Sequence, residues 1–130
     1  MMNTELYNYL VNYGQDISEL YGSLIQRCED YPSYYWALDK EHSLVFTSLC
    51  AEELIPIIGG DIIAVLSDGL ELTYTNWHYD RVGNECFKDY VSHSIDKARE
   101  YLSYYDNKES VLFSFTTLDH VCPIIVPDGL

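Results

Sequence analysis

The sequence predicts an α+β domain: N-terminal helices and one long helix in the C-terminal half, packed on a small, mainly antiparallel sheet. Three observations predict it. Leu6, Leu10, Tyr13, Ile17, Leu20, Leu24 and Cys28 recur at spacings of three and four, the stripe of a helix face. Asp68-Gly69 lies between two apolar, β-branched runs, a strong hairpin signal. Phe87, Val91, Ile95, Ala98, Leu102 and Tyr105 form a second helical stripe, after which Ser110 to Thr117 alternates with the period of a strand.

Each element follows in order. Gly14 interrupts the first stripe, and Asp16 three residues before Glu19 has the form of a capping box, so two helices are expected over about 3–13 and 17–29. Pro32 makes Tyr31-Pro32-Ser33-Tyr34-Tyr35-Trp36 an aromatic connector, because proline lacks a donor and disfavours helix at the residue before it. Asp39 can cap a third helix over about 40–51, although Leu44-Val45-Phe46 would also suit a strand. The apolar run Leu54 to Ile58 ends at Gly59-Gly60, read as a backbone bend between two strands. Strands over 62–66 and 70–77 then flank the turn, with Leu70, Leu72, Tyr74 and Asn76 on one face and Glu71, Thr73, Thr75 and Trp77 on the other. Asn84 can cap the long helix, about 85–105, whose outward face carries Lys88, Asp89, Ser92, Asp96, Arg99 and Ser103. The tail from Asp119 reads as extended and is interrupted by Pro123 and Pro127.

A chain of 130 residues has the length of one domain, residues 1–130, and buries roughly two-thirds of its unfolded surface. No apolar run approaches the roughly 18 residues of a membrane span. The start of the chain has no basic segment followed by an apolar one, so a cytoplasmic address is expected. Cys28, Cys50, Cys86 and Cys122 lie far apart, which predicts free, mostly buried thiols. Twenty-one acids against seven bases give a net charge of -14, which repels nucleic acid and anionic lipid and attracts a basic partner. Thirteen tyrosines and two tryptophans suit such a surface to capture of a cationic protein, since aromatic side chains supply much of the binding energy at interfaces.

Catalytic chemistry finds little support. Gly59-Gly60 has no Lys or Arg near it and belongs to no phosphate-binding motif. Cys86 and His93 are seven residues apart, about 10 Å along a helix, too far for a nucleophile and its base. His120 with Cys122, or His78 with Asp80, could each give two metal ligands, but zinc sites cluster more tightly. Glu52 and Glu53 point apart on a helix. No catalytic residue, metal or cofactor is therefore expected.

Gly59-Gly60-Asp61, a hairpin, Asn76-Trp77-His78-Tyr79, and a helix bearing Tyr90, Ser94, Ala98 and Tyr101-Leu102 together resemble the immunity protein 40 family of bacterial polymorphic-toxin and contact-dependent growth inhibition systems. The likeness also takes in Trp36-Ala37-Leu38 and covers about residues 36–105. Where the pattern has an aromatic residue after Asn-Trp, this chain has His78 and then Tyr79. The resemblance implies a non-enzymatic cytosolic antidote that binds one cognate toxin C-terminal domain; the sequence does not fix its oligomeric state, and a monomer is favoured. Many such toxins are nucleases, basic because their substrate is polyanionic, in keeping with the charge of this chain. Gly59, Gly60, Asp61, Asn76 and Trp77 are then structural. The expected toxin contacts are acidic and aromatic positions near the hairpin turn and the last helix: Asp68, Glu71, Tyr79, Asp80, Glu85 and Asp89. Tyr31, Tyr34, Tyr35 and Trp36 are a second set, with Trp36 the one expected to pack inside. A phage-type acidic inhibitor, or a nucleic-acid mimic directed at a host nuclease complex, would use the same charge for a different target.

Overall fold

Asn3 opens the first helix, α1 (Thr4–Tyr13), by accepting the N–H groups of Glu5 and Leu6 on its side-chain oxygen at 2.9 and 3.2 Å. The computed structural model describes residues 3–21, 36–106 and 110–118. Leu6 and Leu10, one helical turn apart, are the buried residues of α1. The helix stops at Gly14, whose extended backbone leads into the two-residue strand β1 (Gln15–Asp16). The Asp16 carboxylate accepts the Ser18 N–H at 2.8 Å and starts the short helix α2 (Ser18–Tyr21). Residues 22–29 of the second expected helix lie outside the described residues, as do Tyr31, Tyr34, Tyr35 and the tail from Asp119.

After β2 (Trp36–Leu38), the Asp39 carboxylate caps α3 (Lys40–Glu52) through the His42 N–H at 2.8 Å. Helix prevails over strand at Leu44-Val45-Phe46 because Phe46 and Cys50, four apart, share the buried face while Leu44 and Val45 are exposed. A long hairpin follows, β3 (Ile57–Leu66) and β4 (Gly69–His78), then α4 (Phe87–Ser103) and β5 (Val111–Thr117).

The five described strands form one sheet in the order β1-β2-β5-β3-β4, with every pair antiparallel. The last of the described strands lies in the middle, and Phe113 to Thr117 are buried without interruption, as suits a strand covered on both faces. Three helices, α1, α3 and α4, cover one face. Leu6, Phe46, Ile95 and Ala98 meet Ile62, Phe113 and Phe115 there, with the Phe46 and Phe115 rings stacked at 5.3 Å. A smaller cluster of Ile17, Ala37 and Ile63, with Leu20, Leu70, Leu72 and Leu112 against it, covers part of the other face. Between α3 and α4 the Arg99 guanidinium donates to the Thr47 and Ser48 hydroxyls at 3.1 and 3.2 Å, and the Lys40 ammonium donates to the Tyr105 carbonyl. Among the described residues no helix is long and apolar enough to cross a membrane.

Four expectations need correction. Gly59 and Gly60 lie inside β3 rather than at a bend between strands, and neither has a positive φ. The long helix begins after Cys86, not Asn84, and no side chain caps it. Phe87, placed on its inner face, is 45% exposed because it sits in the first turn, beyond the sheet's cover. On β4 the apolar face is covered only as far as Leu72: Tyr74 and Asn76 are exposed, and Trp77 on the opposite face is buried. Leu72 pairs with Ile63 and Asn76 with Asp61, so three residues of β4 face the single Ile62 of β3. These two extra residues form a β-bulge that leaves the parity beyond it unchanged. Trp77 is buried because its face lies under α4, while the small cluster on the other face ends at Leu72. Of the two cysteines among the described residues, Cys50 is buried and Cys86 exposed.

Candidate functional site

The paired glycines are a seat for one ring. Gly60 stands opposite Trp77 across the ladder and opposite Phe115 on its other side, so all three share the helix-covered face. A Cβ at Gly60 would lie 2.5 Å from the Ser114 carbonyl oxygen and 2.7 Å from Cζ2 of Trp77, with Cη2 of the same ring closer still. The indole therefore rests on bare backbone. Tyr101 of α4 stacks on it from above, centroids 5.0 Å apart, and Phe115 meets it edge-on at 5.8 Å. Its Nε1–H has no partner among the described residues. The preceding residue, Gly59, makes room in the same way, since a Cβ there would stand 2.7 Å from the Trp77 carbonyl oxygen. The same backbone lines a shallow cleft of about 240 Å³, with Asp61, Asn76, His78 and Thr116 as its polar rim.

The remaining motif positions fasten α4 over this seat. The buried Ser94 hydroxyl donates to the Val91 carbonyl at 2.9 Å and accepts the Ile57 N–H at 3.0 Å, so it joins the helix to the first residue of β3. Ala98, fully buried, lets the helix approach the sheet. Gly59, Gly60, Trp77, Ser94, Ala98 and Tyr101 thus make one helix–sheet seam.

The connector from β4 to α4 is pinned by Glu85. Its side chain is only 6% exposed, and its carboxylate accepts from the Tyr79 hydroxyl at 3.0 Å, the Val82 N–H at 3.1 Å and Nδ1 of His93. Burial pushes this carboxyl up, but the bonds from His93, Val82 and Tyr79 outweigh it and hold the group below the ordinary carboxylate range. Burial and the bond to Glu85 push the Tyr79 phenol up to about 12. The same carboxylate raises the His93 imidazole above its ordinary value.

The pair is fully ionised in a defined window. A raised His93 contributes below its unfolded value of 6.5 and loses that contribution as pH rises through its folded value. A lowered Glu85 contributes above its unfolded value of 4.5 and loses that contribution as pH falls through its folded value. The clip is therefore strongest between these two values. In a titration of the imidazole by NMR, His93 should show a midpoint above 6.5 that returns toward the ordinary value in Glu85→Gln. A midpoint unchanged by that substitution would mean the pair does not hold in solution.

The six expected contact residues do not form one patch. Asp68 lies in the hairpin turn and Glu71 just beyond it on β4, both exposed. Tyr79, Asp80, Glu85 and Asp89 cluster past the other end of β4, and the strand rise puts roughly 25–30 Å between Glu71 and Asp80. Asp80 and Asp89 are exposed, with Asp80 Oδ2 3.4 Å from Nε2 of His78, while Glu85 is spent on the clip and Tyr79 is half-buried beside it. Trp36 is half-buried and packs against the core. His93, considered as a partner for Cys86, is engaged by Glu85 instead. Among the described residues no three His, Cys, Asp or Glu side chains converge as a metal site would require. A second aromatic surface, not foreseen from the sequence, lies on α1 and α3. Tyr13 stacks on His42 at 4.9 Å and meets Tyr9 at a tilt, centroids 4.7 Å apart, and the His42 ring nitrogen is 2.9 Å from the Asp39 carboxylate. Its signal was present in the tyrosines at 9 and 13, four apart, but nothing local ties them to His42.

Compared with known families, the chain matches the model for immunity protein 40 over residues 27–117. No curated protein and no solved structure matches the chain.

Proposed function

The chain belongs to the immunity protein 40 family, and from that membership we propose that it neutralises one cognate bacterial toxin domain, a basic nuclease, by binding it in the cytoplasm. The family match is the observation that carries this reading. The charge supports it: a surface with a net charge of -14 is steered toward a protein whose own substrate is a polyanion. The antidote acts as a monomer by occupying the toxin, with no cofactor, no nucleic acid and no membrane involved.

The test is protection and binding with a toxin domain, sought first in the genes neighbouring this one. Co-expression should rescue growth, and the purified pair should associate fast at low salt and more slowly as ionic strength rises. An association rate indifferent to salt would remove the electrostatic basis of the reading. Because the acidic positions fall into two groups, the charge can be located. Reversal of Asp68 and Glu71 together to lysine should slow association about tenfold at low salt. Each exposed change should alter stability by less than about 0.5 kcal/mol. Reversal of Asp80 and Asp89 should do less. The opposite ranking would put the contact at the α4 end of the sheet. Recovery of a host nuclease assembly in place of the toxin would favour the acidic-mimic reading.

A further inference from the structure

We propose that Tyr74 is the side chain by which this protein anchors itself in a cation-lined cleft of its toxin. The inference rests on the neutralising role proposed above and names the surface that performs it. β4 is an edge strand, and its bulge thrusts Thr73, Tyr74 and Thr75 out of the ladder. The bulge is a built feature. The Thr73 hydroxyl donates to the Ile62 carbonyl at 2.8 Å and accepts the Thr75 N–H at 3.1 Å, so one side chain replaces the ladder bonds that the extra residues would otherwise lose.

At its apex Tyr74 has φ +62, a left-handed conformation that glycine or asparagine adopts readily and an aromatic residue rarely does. Burial does not compensate for this. Tyr74 is 85% exposed, against 65% for Val82, the next most exposed large hydrophobic side chain among the described residues. Among those residues the ring stacks on no other ring and its hydroxyl has no hydrogen-bond partner. A strained backbone that presents a large ring to water gives nothing to the fold, and such outliers concentrate at binding sites. The bulge also breaks the edge that another strand would need for pairing, so this edge offers a side chain and not a template for strand addition.

Charge selects the occupant. The forty residues from Glu41 to Asp80 contain no Lys or Arg and seven acids, of which Asp68 and Glu71 lie on the same hairpin as Tyr74. A second copy of this chain would bring like charge to like. A cleft lined by Lys and Arg to hold nucleic acid is complementary, and in it the tyrosine ring can take a guanidinium on its face or lie where a base would stack.

The experiment is titration of a catalytically inactive form of the toxin domain with wild type, Tyr74→Phe, Tyr74→Asn and Tyr74→Gly, beside thermal melts of each variant alone. Asn and Gly suit the backbone conformation, so their melting temperatures should equal or exceed that of wild type. Their affinity should fall at least about 30-fold, as for an interface hot spot, while Tyr74→Phe stays within about threefold. Wild-type binding with no loss in Tyr74→Asn or Tyr74→Gly overturns the anchor and leaves the neutralising role intact. A lower melting temperature in both would make the ring structural and also overturn it. A wild-type dimer that Tyr74→Gly dissolves would assign the ring to a second copy and overturn it too. Failure of wild type to bind the toxin domain overturns the neutralising role and this inference with it.

Discussion

Gly60→Ala should destabilise the domain by about 3 kcal/mol, the upper range for forcing an extra methyl into a closed space. For a domain of this size that lowers the melting temperature by roughly 10 °C. The cause is steric and not conformational, since Gly60 lies in a strand without a positive φ. Its missing Cβ is the floor on which Trp77 lies, and the ring has Tyr101 stacked on its far side, so it cannot lift away without opening the contact between α4 and the sheet. A second obstacle, the Ser114 carbonyl, is backbone and bonded into the ladder. The attribution can be checked with Trp77→Phe, whose smaller ring does not reach the space above Gly60. Alone it should cost about 1–2 kcal/mol through lost burial. With Gly60→Ala it should cost less than the sum, by about 1 kcal/mol, because the ring clash is then absent and only the carbonyl clash remains. Strict additivity in denaturant melts would show that the indole is not what the methyl meets.

The second large effect is expected at Ser94. Ser94→Ala removes one oxygen, yet it strands the buried Ile57 N–H at the start of β3, a loss of about 2 kcal/mol. Lost packing alone would predict much less, since serine and alanine differ little in volume. Amide exchange separates the two explanations. The Ile57 N–H should exchange faster relative to its neighbours if the hydrogen bond is the cause, and in step with them if the helix has merely loosened.

Periodicity made the elements of this fold legible, and the rest was hidden by which faces other elements cover and which residues pair across the sheet. Asp39 before an apolar stripe, Asp68-Gly69 between two strands and the alternation of Val111 to Thr117 are local signals, and each sits where it pointed. Gly59-Gly60 was legible as a place of close approach but not as the seat of a ring, because glycine in a bend and glycine under an indole look alike until Trp77 is paired with it. The bulge at Tyr74 has no sequence signature either. Thr73-Tyr74-Thr75 continues the strand composition without a break, and only the register to Ile63 and Asp61 shows the two extra residues that turn Tyr74 out of the ladder. The proposed contact residues failed to gather for a related reason. Positions close in sequence to the two ends of a ten-residue strand are far apart in space, and Glu85, an acid like the others by composition, is consumed by three donors close around it. The family resemblance was carried by residues of the seam, which hold the helix on the sheet and say little about which toxin is bound.

The position of β5 has a consequence for the order of events in synthesis. β1 and β2 can pair with each other as soon as they are made, and β3 and β4 likewise, but the two pairs have no common neighbour until Val111 to Thr117 enters between them. The chain must therefore leave the ribosome at least as far as Thr117 before the sheet can close. The contact that closes it spans the longest sequence separation in the described sheet, the kind that slows folding. An immunity protein so wired completes its sheet only once β5 is made, so any surface that depends on the closed sheet is absent from the shorter nascent chain.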